Sequence, residues 1–455
     1  MMTVFNIPLL PSGSGYQNNS PHGFCKIDSV LLPQSKEGNT TITALATQLA
    51  KARKFEQRLR SKCENAWTDG NPSFPAHAKT YLTSRRCQLV ALFEDNARQP
   101  LKDRLSLEEM ATLATTYKAL SCLNEAAKIW TEPKLSGGVR VICAFGPVAR
   151  SYQRMVRTLL RMTYKPQDFQ FTHLGSAAKI QLAMSLIKEK GYTHVAEIDI
   201  KDFFPSFSEG KLVAALPLPK EAIRQIVLAK GADWYPSYAN TTQPHILSPP
   251  GIPQGSASSA EVAHWCIAHM SMEKVEGVDV INHADNFFIF AVSKLHMEGA
   301  AKALRSGIAG LLGGEFQGKT EQAGEIAKEF RMLGCCISMD KAGNLVADPT
   351  DTNLKKLVCR ARTLKQRVHA KLTAAEFEAD EGLRVEGLQD FLRLESLCHG
   401  WINAFKFCGP QIKYIEDEHL YDLDAIRDTY CITQSGLEPL KDASTLVNIK
   451  WYSGG

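Results

Sequence analysis

Three short apolar runs, each meeting an acidic residue at its end, constrain this chain more than any other feature. Residues 193–200 read Thr-His-Val-Ala-Glu-Ile-Asp-Ile, a strand-forming run that closes on Asp199 and leads into Lys201-Asp202-Phe203-Phe204-Pro205. Further on, Val278 to Asn282 and Phe287 to Val292 are two more strand-like runs, joined by His283-Ala284-Asp285-Asn286. Strands of this kind can bring Asp199 and Asp285 together at one end of a sheet. Between them lies Gly251-Ile252-Pro253-Gln254-Gly255-Ser256, a loop signature.

With 455 residues, 44% apolar and 22% charged, the chain is long enough for a sizeable core and two or three domains. Its formal charge of +5 is a mild average, so a nucleic-acid surface has to come from local clusters. Two are visible. Lys51, Arg53, Lys54, Arg58, Arg60 and Lys62 crowd one stretch, and Arg150, Arg154, Arg157 and Arg161 recur at helical spacing. Each reads either as a nucleic-acid face or as a solvated one. Twelve cysteines include no Cys-x-x-Cys pair, and Cys335-Cys336 sit in an apolar run where sulfur packs more often than it ligates. A zinc site or disulfide framework is therefore not expected. The N-terminus lacks a basic leader and no stretch reaches membrane-spanning length, so a cytoplasmic protein with no membrane partner is expected.

The pattern along the chain divides it into an extended arm over residues 1–40, helices over 41–130, a mixed segment over 131–192, an α+β segment over 193–345, and helices with a tail over 346–455. Ser106 followed by Glu108 and Glu109 marks a helix start. Gly137-Gly138 before Val139 to Phe145 marks a β-hairpin, with Arg140 near its turn. Helices are expected over 148–163 and 176–190, and Phe391, Leu394, Leu397, Trp401 and Phe405 form an apolar helical stripe. The fold class is α+β with an antiparallel sheet at its centre.

Two carboxylates at a strand end and a neighbouring hairpin turn are what two-metal nucleotidyl transfer requires, since they hold two Mg²⁺ about 3.5–4 Å apart. Asp199 and Asp285 fit by position. Asp202 is the rival in the first cluster, but it lies where the chain is already leaving the strand.

In their order these motifs resemble bacterial reverse transcriptases of the retron, group II intron and defence-associated kind. The resemblance runs from about residue 130 to 405. It is carried by Gly-Gly-Val-Arg140-Val-Ile, His173-Leu-Gly-Ser176, Asp199-Ile-Lys-Asp-Phe-Phe204, Gly251-Ile-Pro-Gln254-Gly255-Ser, His283-Ala-Asp285-Asn, Gly318-Lys319-Thr320, Phe330-Arg-Met-Leu333-Gly334 and His399-Gly-Trp401-Ile-Asn. It implies a right-hand polymerase with fingers over 131–192, a palm over 193–345 whose antiparallel sheet is flanked by helices, and a helical thumb over 346–455. A helical N-terminal region precedes these.

The same resemblance implies an RNA-directed DNA polymerase that takes an RNA template and deoxynucleoside triphosphates and makes DNA. Its metal would be two Mg²⁺, with Mn²⁺ as a substitute, held by Asp199, Asp285 and the backbone of Ile200. Asn286 and Lys319 join the catalytic set, Lys319 as a general acid toward pyrophosphate. Arg140 (with Lys134 nearby), Phe204, Pro253, Gln254 and Gly255 would contact the nucleotide, with Phe204 set against a ribose 2′-OH. Arg154, Arg157, His283, Leu333, Gly334 and Trp401 would contact template or product. Two departures stand out: Asn286 replaces a second acid, and an amide binds Mg²⁺ less well than a carboxylate; His283 replaces the usual Tyr. Too little chain follows Gly334 for an added DNA-binding region and endonuclease, and the long helical lead-in fits a defence-associated enzyme that copies a dedicated non-coding RNA. A homo-oligomer built on the N-terminal helices is compatible with this. A viral-type RNA-dependent RNA polymerase and an inactive RNA-binding scaffold are the alternatives.

Overall fold

A computed structural model describes residues 36–99, 103–116, 120, 125–133, 138–236, 248–408, 421–433 and 437. The chain divides into two compact units, Met1–Thr47 and Gln48–Gly455; of the first, only the opening turns of helix α1 (Lys36–Thr68) are described. The extended arm expected over 1–40 therefore falls mostly outside the described residues, and from Lys36 the chain is helical.

The helical region continues with α2 (Phe74–Thr83), α3 (Arg85–Asn96) and α4 (Leu107–Thr116). Local chemistry places their starts. Pro75 sits in the first turn of α2, and Ser84 caps α3 by accepting from the Cys87 N–H at 3.3 Å. Before α4, the Ser106 hydroxyl accepts from the Glu109 N–H at 3.1 Å, while the Glu109 carboxylate accepts from the Ser106 N–H at 2.7 Å. This reciprocal pair satisfies two N–H groups at that helix start.

Strands β1 (Ala126–Pro133) and β2 (Val139–Ala144) form the expected hairpin, although β1 begins inside the stretch read as helical. Next come α5 (Pro147–Arg161), α6 (Ser176–Lys190), β3 (His194–Ile200), α7 (Glu209–Ala215) and α8 (Lys220–Ala222), which runs into a π-helical turn at Ile223–Val227. They are followed by β4 (Asp233–Pro236), α9 (Ser259–Ala268), β5 (Val278–His283), β6 (Asn286–Ala291), α10 (Lys294–Ala309) and β7 (Gly318–Glu325). The last elements are β8 (Phe330–Met332), β9 (Cys335–Met339), β10 (Leu345–Pro349), α11 (Asp351–Glu378), α12 (Glu381–Phe405) and α13 (Tyr421–Thr429). No described helix is long and apolar enough to cross a membrane.

Among the described residues the α+β fold contains three small sheets. β2-β1-β4 is one, with β4 parallel to β1; β10-β9-β8 is another; and the central sheet, order β5-β6-β3-β7, is antiparallel throughout. Side chains alternate along β3. Ala196, Ile198 and Ile200 face a large core shared with α10, α9 and the N-terminal helices. Val195, on the other face, joins Phe288 and Phe290 in a second core closed by α6, β8, β9 and the end of α12. Cover on that second face runs out along the strand: Val195 is buried, whereas Glu197 and Asp199 are only half-buried.

The helical stripe on α12 is buried but divided. Phe391 and Leu394 pack in a core with α11 and α13, whereas Trp401 and Phe405 pack against α6 and the β8–β9 hairpin.

The arginine stripe on α5 departs from both sequence readings. Arg150 and Arg154 converge on the buried Asp95 of α3 at 2.6 and 2.8 Å. Arg157 and Arg161 converge on the buried Glu261 of α9 at 3.4 and 2.7 Å, and the Tyr164 hydroxyl donates to the same carboxylate. Two acids from remote segments thus fasten α3 and α9 to α5. Removing one member of such a pair leaves the others desolvated and uncompensated. In Asp95→Ala a loss on the order of 3 kcal/mol is expected, at the low end for a broken internal pair because both arginines keep some water; chemical denaturation at neutral pH measures it.

Candidate active site

Asp199 is the penultimate residue of β3, directly opposite Asn286 of β6 and Lys319 of β7. The β5–β6 hairpin closes through only Ala284 and Asp285, because His283 pairs with Asn286. Ala284 takes φ +55°, the left-handed conformation that so tight a turn demands. Buried Asn282 holds the turn from inside: its amide donates to the Ala284 carbonyl at 2.9 Å and the Asn286 carbonyl at 3.1 Å. The Ile200 N–H then donates to the Asp285 carbonyl at 3.0 Å. That bond docks the acid turn on the end of β3, bringing Asp285 beside Asp199.

Asn286 serves this arrangement as a donor. Its amide reaches the Asp285 carboxylate at 3.3 Å, which orients the neighbouring acid. The family resemblance implies a catalytic place for Asn286 as a weaker Mg²⁺ ligand.

Two residues missed in the sequence support this end of the sheet, one on β3 and one under the hairpin. Glu197 lies two positions before Asp199 on the same face and accepts from the Gln322 amide at 2.9 Å. Burial pushes its carboxyl up to about 7, and the Glu321, Asp199 and Asp285 charges push the same way against the Gln322 bond. Lys179 of α6 is buried beneath the hairpin, donating to the Asn282 carbonyl at 2.8 Å and lying 3.4 Å from His283 Nδ1. Burial lowers this ammonium to about 8. Burial, then the Lys179 charge, lowers His283 to about 4, so the imidazole is neutral at pH 7. The only sequence signal was a lysine beside Ile180 on an otherwise apolar helix face.

The Pro-Gln-Gly loop stitches two elements to this end of the sheet. The Cys143 N–H of β2 donates to the Gln254 carbonyl at 2.8 Å, and the Ile252 N–H donates to the Phe204 carbonyl at 3.0 Å. Gly255 has φ +108°, and a Cβ there would lie 2.1 Å from the Cys143 carbonyl oxygen. Its missing side chain is therefore used by β2, not kept open for a nucleotide. The Pro253 carbonyl is held by the Ser259 hydroxyl at 2.8 Å.

Of the clustered phenylalanines, Phe203 and Phe207 are buried against Phe316, and Phe204 is left half-exposed with its ring edge-on to Phe203 at 5.8 Å. Arg140 is exposed on β2 opposite Glu132, and Lys134 lies outside the described residues. Lys319, well exposed, donates to Glu321 at 2.8 Å; that bond chiefly raises its pKa, which opposes proton donation.

Other expected nucleic-acid contacts are tied into the fold. Leu333 and Gly334, at φ +48° and +84°, form the two-residue β8–β9 turn, and the Gly334 carbonyl is capped by the Thr350 N–H and the Asn353 amide, each at 2.9 Å. Trp401 is buried against Phe405 at 4.6 Å between ring centres, so its ring is a core group and not a surface for bases. Arg154 and Arg157 are the ion-paired residues of α5.

No family model and no curated protein matches the chain. Solved structures similar to it include apo telomerase from Candida tropicalis truncated from its C-terminal domain, at 13% identity and a TM-score of 0.32, covering 50% of this chain and 55% of that one. Telomerase from Candida albicans in complex with a TWJ fragment of telomeric RNA is similar at 13% identity and a TM-score of 0.31, covering 71% of this chain and 63% of that one. The chain spans less than two thirds of either. Likeness this distant carries nothing about activity, and the site rests on its own geometry.

The raised Glu197 carboxyl makes a signed prediction. A carboxyl that holds its proton more tightly folded than unfolded opposes folding as pH rises from about 4.5 through about 7. In the absence of divalent metal, Glu197→Gln is expected to melt above wild type at pH 8 and level with it at pH 4, read from melting curves across that range.

Proposed function

We propose that this chain is an RNA-templated DNA polymerase that joins deoxynucleotides at the Asp199–Asp285 end of the central sheet. The observation that carries the reading is the Ile200 N–H bond to the Asp285 carbonyl, which brings two acids from remote segments to the same strand end. Both acids are half-buried there, so each keeps a face from which it would meet a substrate and its cations.

The donor set fits Mg²⁺. Among the described residues no three or more His, Cys, Asp or Glu side chains form a metal cluster, but Mg²⁺ characteristically binds through one or two carboxylates together with substrate phosphates. Asp199 and Asp285, with the Ile200 backbone, would hold two such ions, and Mn²⁺ could substitute. When bound, the pair supplies charge stabilisation to the attacking and leaving oxygens. This chain's residues would do the rest. Asn286 orients the Asp285 carboxylate, and the buried Lys179 holds the hairpin strand by its carbonyl. Gln254 and Arg140 stand on the two segments that Cys143 ties together, where donors to a triphosphate are wanted. Phe204 is half-exposed five residues after Asp199, and its ring would stand against the sugar, so a ribose 2′-OH would meet carbon where deoxyribose has only hydrogen.

A role in antiphage defence, copying a dedicated non-coding RNA, is the biological reading supported by the retron-like motif order and by four helices ahead of the fingers hairpin.

Primer extension tests the chemistry. Protein isolated with its bound RNA is expected to incorporate labelled deoxynucleotides with Mg²⁺ into RNase-resistant product, and both Asp199→Ala and Asp285→Ala are expected to abolish it. Incorporation unaffected by either substitution removes the site from catalysis. Separately, Phe204→Ala is expected to raise ribonucleotide use relative to deoxynucleotide use at least tenfold, about 1.4 kcal/mol of discrimination, measured as the ratio of kcat/KM values; an unchanged ratio excludes the ring as the sugar filter.

A further inference from the structure

The proposed chemistry makes no use of a basic face on α1. Lys51, Lys54, Arg58 and Lys62 recur every three or four residues, which aligns them along one side of the helix over about 16 Å. All four side chains are exposed, and none pairs with a described acid. The nearby acid Glu56 is turned away and accepts from the Tyr81 hydroxyl at 2.9 Å. Phe55 lies on the same side between Lys51 and Arg58, and the Arg86 guanidinium of α3 stacks over its ring at 5.1 Å, adding a fifth cation. Exposed Ser61 and Asn65 flank the face with a hydroxyl and an amide. Residues 48–99 carry ten Lys and Arg against five Asp and Glu, an excess as large as the +5 of the entire chain.

A helix face that serves only solubility mixes its signs, because like charges three or four residues apart destabilise the helix. Here four like charges stand in register without an acid to offset them. A membrane-surface helix needs large apolar side chains beside its cations. Among the described residues the exposed large hydrophobic ones are Tyr235, Val292, Leu295, Leu312, Met339, Val358 and Phe377, none of them on α1. A polyanion with regularly repeated charge suits the face better, and the stacked guanidinium keeps its planar edge available for two phosphate oxygens.

We propose that the Lys51, Lys54, Arg58 and Lys62 face of α1, with Arg86, is an RNA-binding surface that grips phosphates away from the polymerising acids. It holds RNA by charge, independently of base identity, and it does not depend on the chemistry at Asp199.

The test uses the full chain and a labelled RNA hairpin, with Kd measured across a range of salt. Each phosphate contact contributes roughly 0.7–0.9 to the slope of log Kd against log salt, so combining Lys51→Gln, Lys54→Gln, Arg58→Gln and Lys62→Gln is expected to lower the slope by about 3. The charge-keeping set Lys51→Arg, Lys54→Arg, Arg58→Lys and Lys62→Arg is expected to retain the wild-type slope, which separates charge from packing. A slope changed by less than about 1 in the Gln variant overturns the proposal. So does an unchanged RNA slope accompanied by lost sedimentation with phosphatidylserine vesicles, which assigns the face to a membrane. Extension of a short annealed primer–template should survive in the Gln variant, whereas Asp199→Ala should lose extension and keep the full slope. The RNA surface and the polymerase reading therefore fail separately.

Discussion

The hydrogen bond from the Ile200 N–H to the Asp285 carbonyl is the constraint around which the central sheet is arranged. Carboxylates repel, and a hairpin turn is the most mobile part of a hairpin, so Asp285 needs a fixed reason to stay beside Asp199. The backbone bond supplies it without using either side chain. Asn282 makes the turn rigid from within, and Lys179 fixes the strand leading into it from below. Both acids stay half-buried at this end of β3, while the other end of that strand is buried between two cores.

Around that end, three further segments are joined by backbone contacts that only glycine permits. Gly251 at φ +64° lets the Phe204 carbonyl approach, and Gly255 lets the Cys143 carbonyl approach; a Cβ at either position would stand 2.1 Å from the facing oxygen. The Pro-Gln-Gly loop thus locks the first hairpin to the turn after the acid strand. Phe204 owes its position to this, since its own carbonyl is one of the tied atoms while Phe203 and Phe207 anchor it in the core. The supports of this strand end are main-chain bonds and buried rings.

Charge is divided between inner and outer tasks. On α5 the arginines are spent on two buried acids, and the helix becomes a brace between α3 and α9. On α1 comparable spacing produces an outward face that meets no acid among the described residues. Nothing in the local pattern separates the two, because Asp95 and Glu261 reach α5 from far along the chain. Burial of Trp401 has the same origin: its stripe spacing predicted an apolar face, but the groups it packs against come from α6 and the β8–β9 hairpin.

What the sequence determined by itself was whatever local periodicity and turn chemistry dictate. Apolar β-branched and aromatic runs beside Asp199 and Asp285 became β3, β5 and β6; α6 spans the residues its periodicity predicted; and Ser106 caps α4 as its spacing required. The candidate acids were legible for the same reason, since a strand end and a two-residue turn are local objects. Tertiary structure alone decided the roles of Lys179, Glu197, Gly255 and the α5 arginines. Their partners, Asn282, Gln322, Cys143, Asp95 and Glu261, lie in other elements of the chain, and a buried charge or a close backbone approach is defined only by what the fold brings against it.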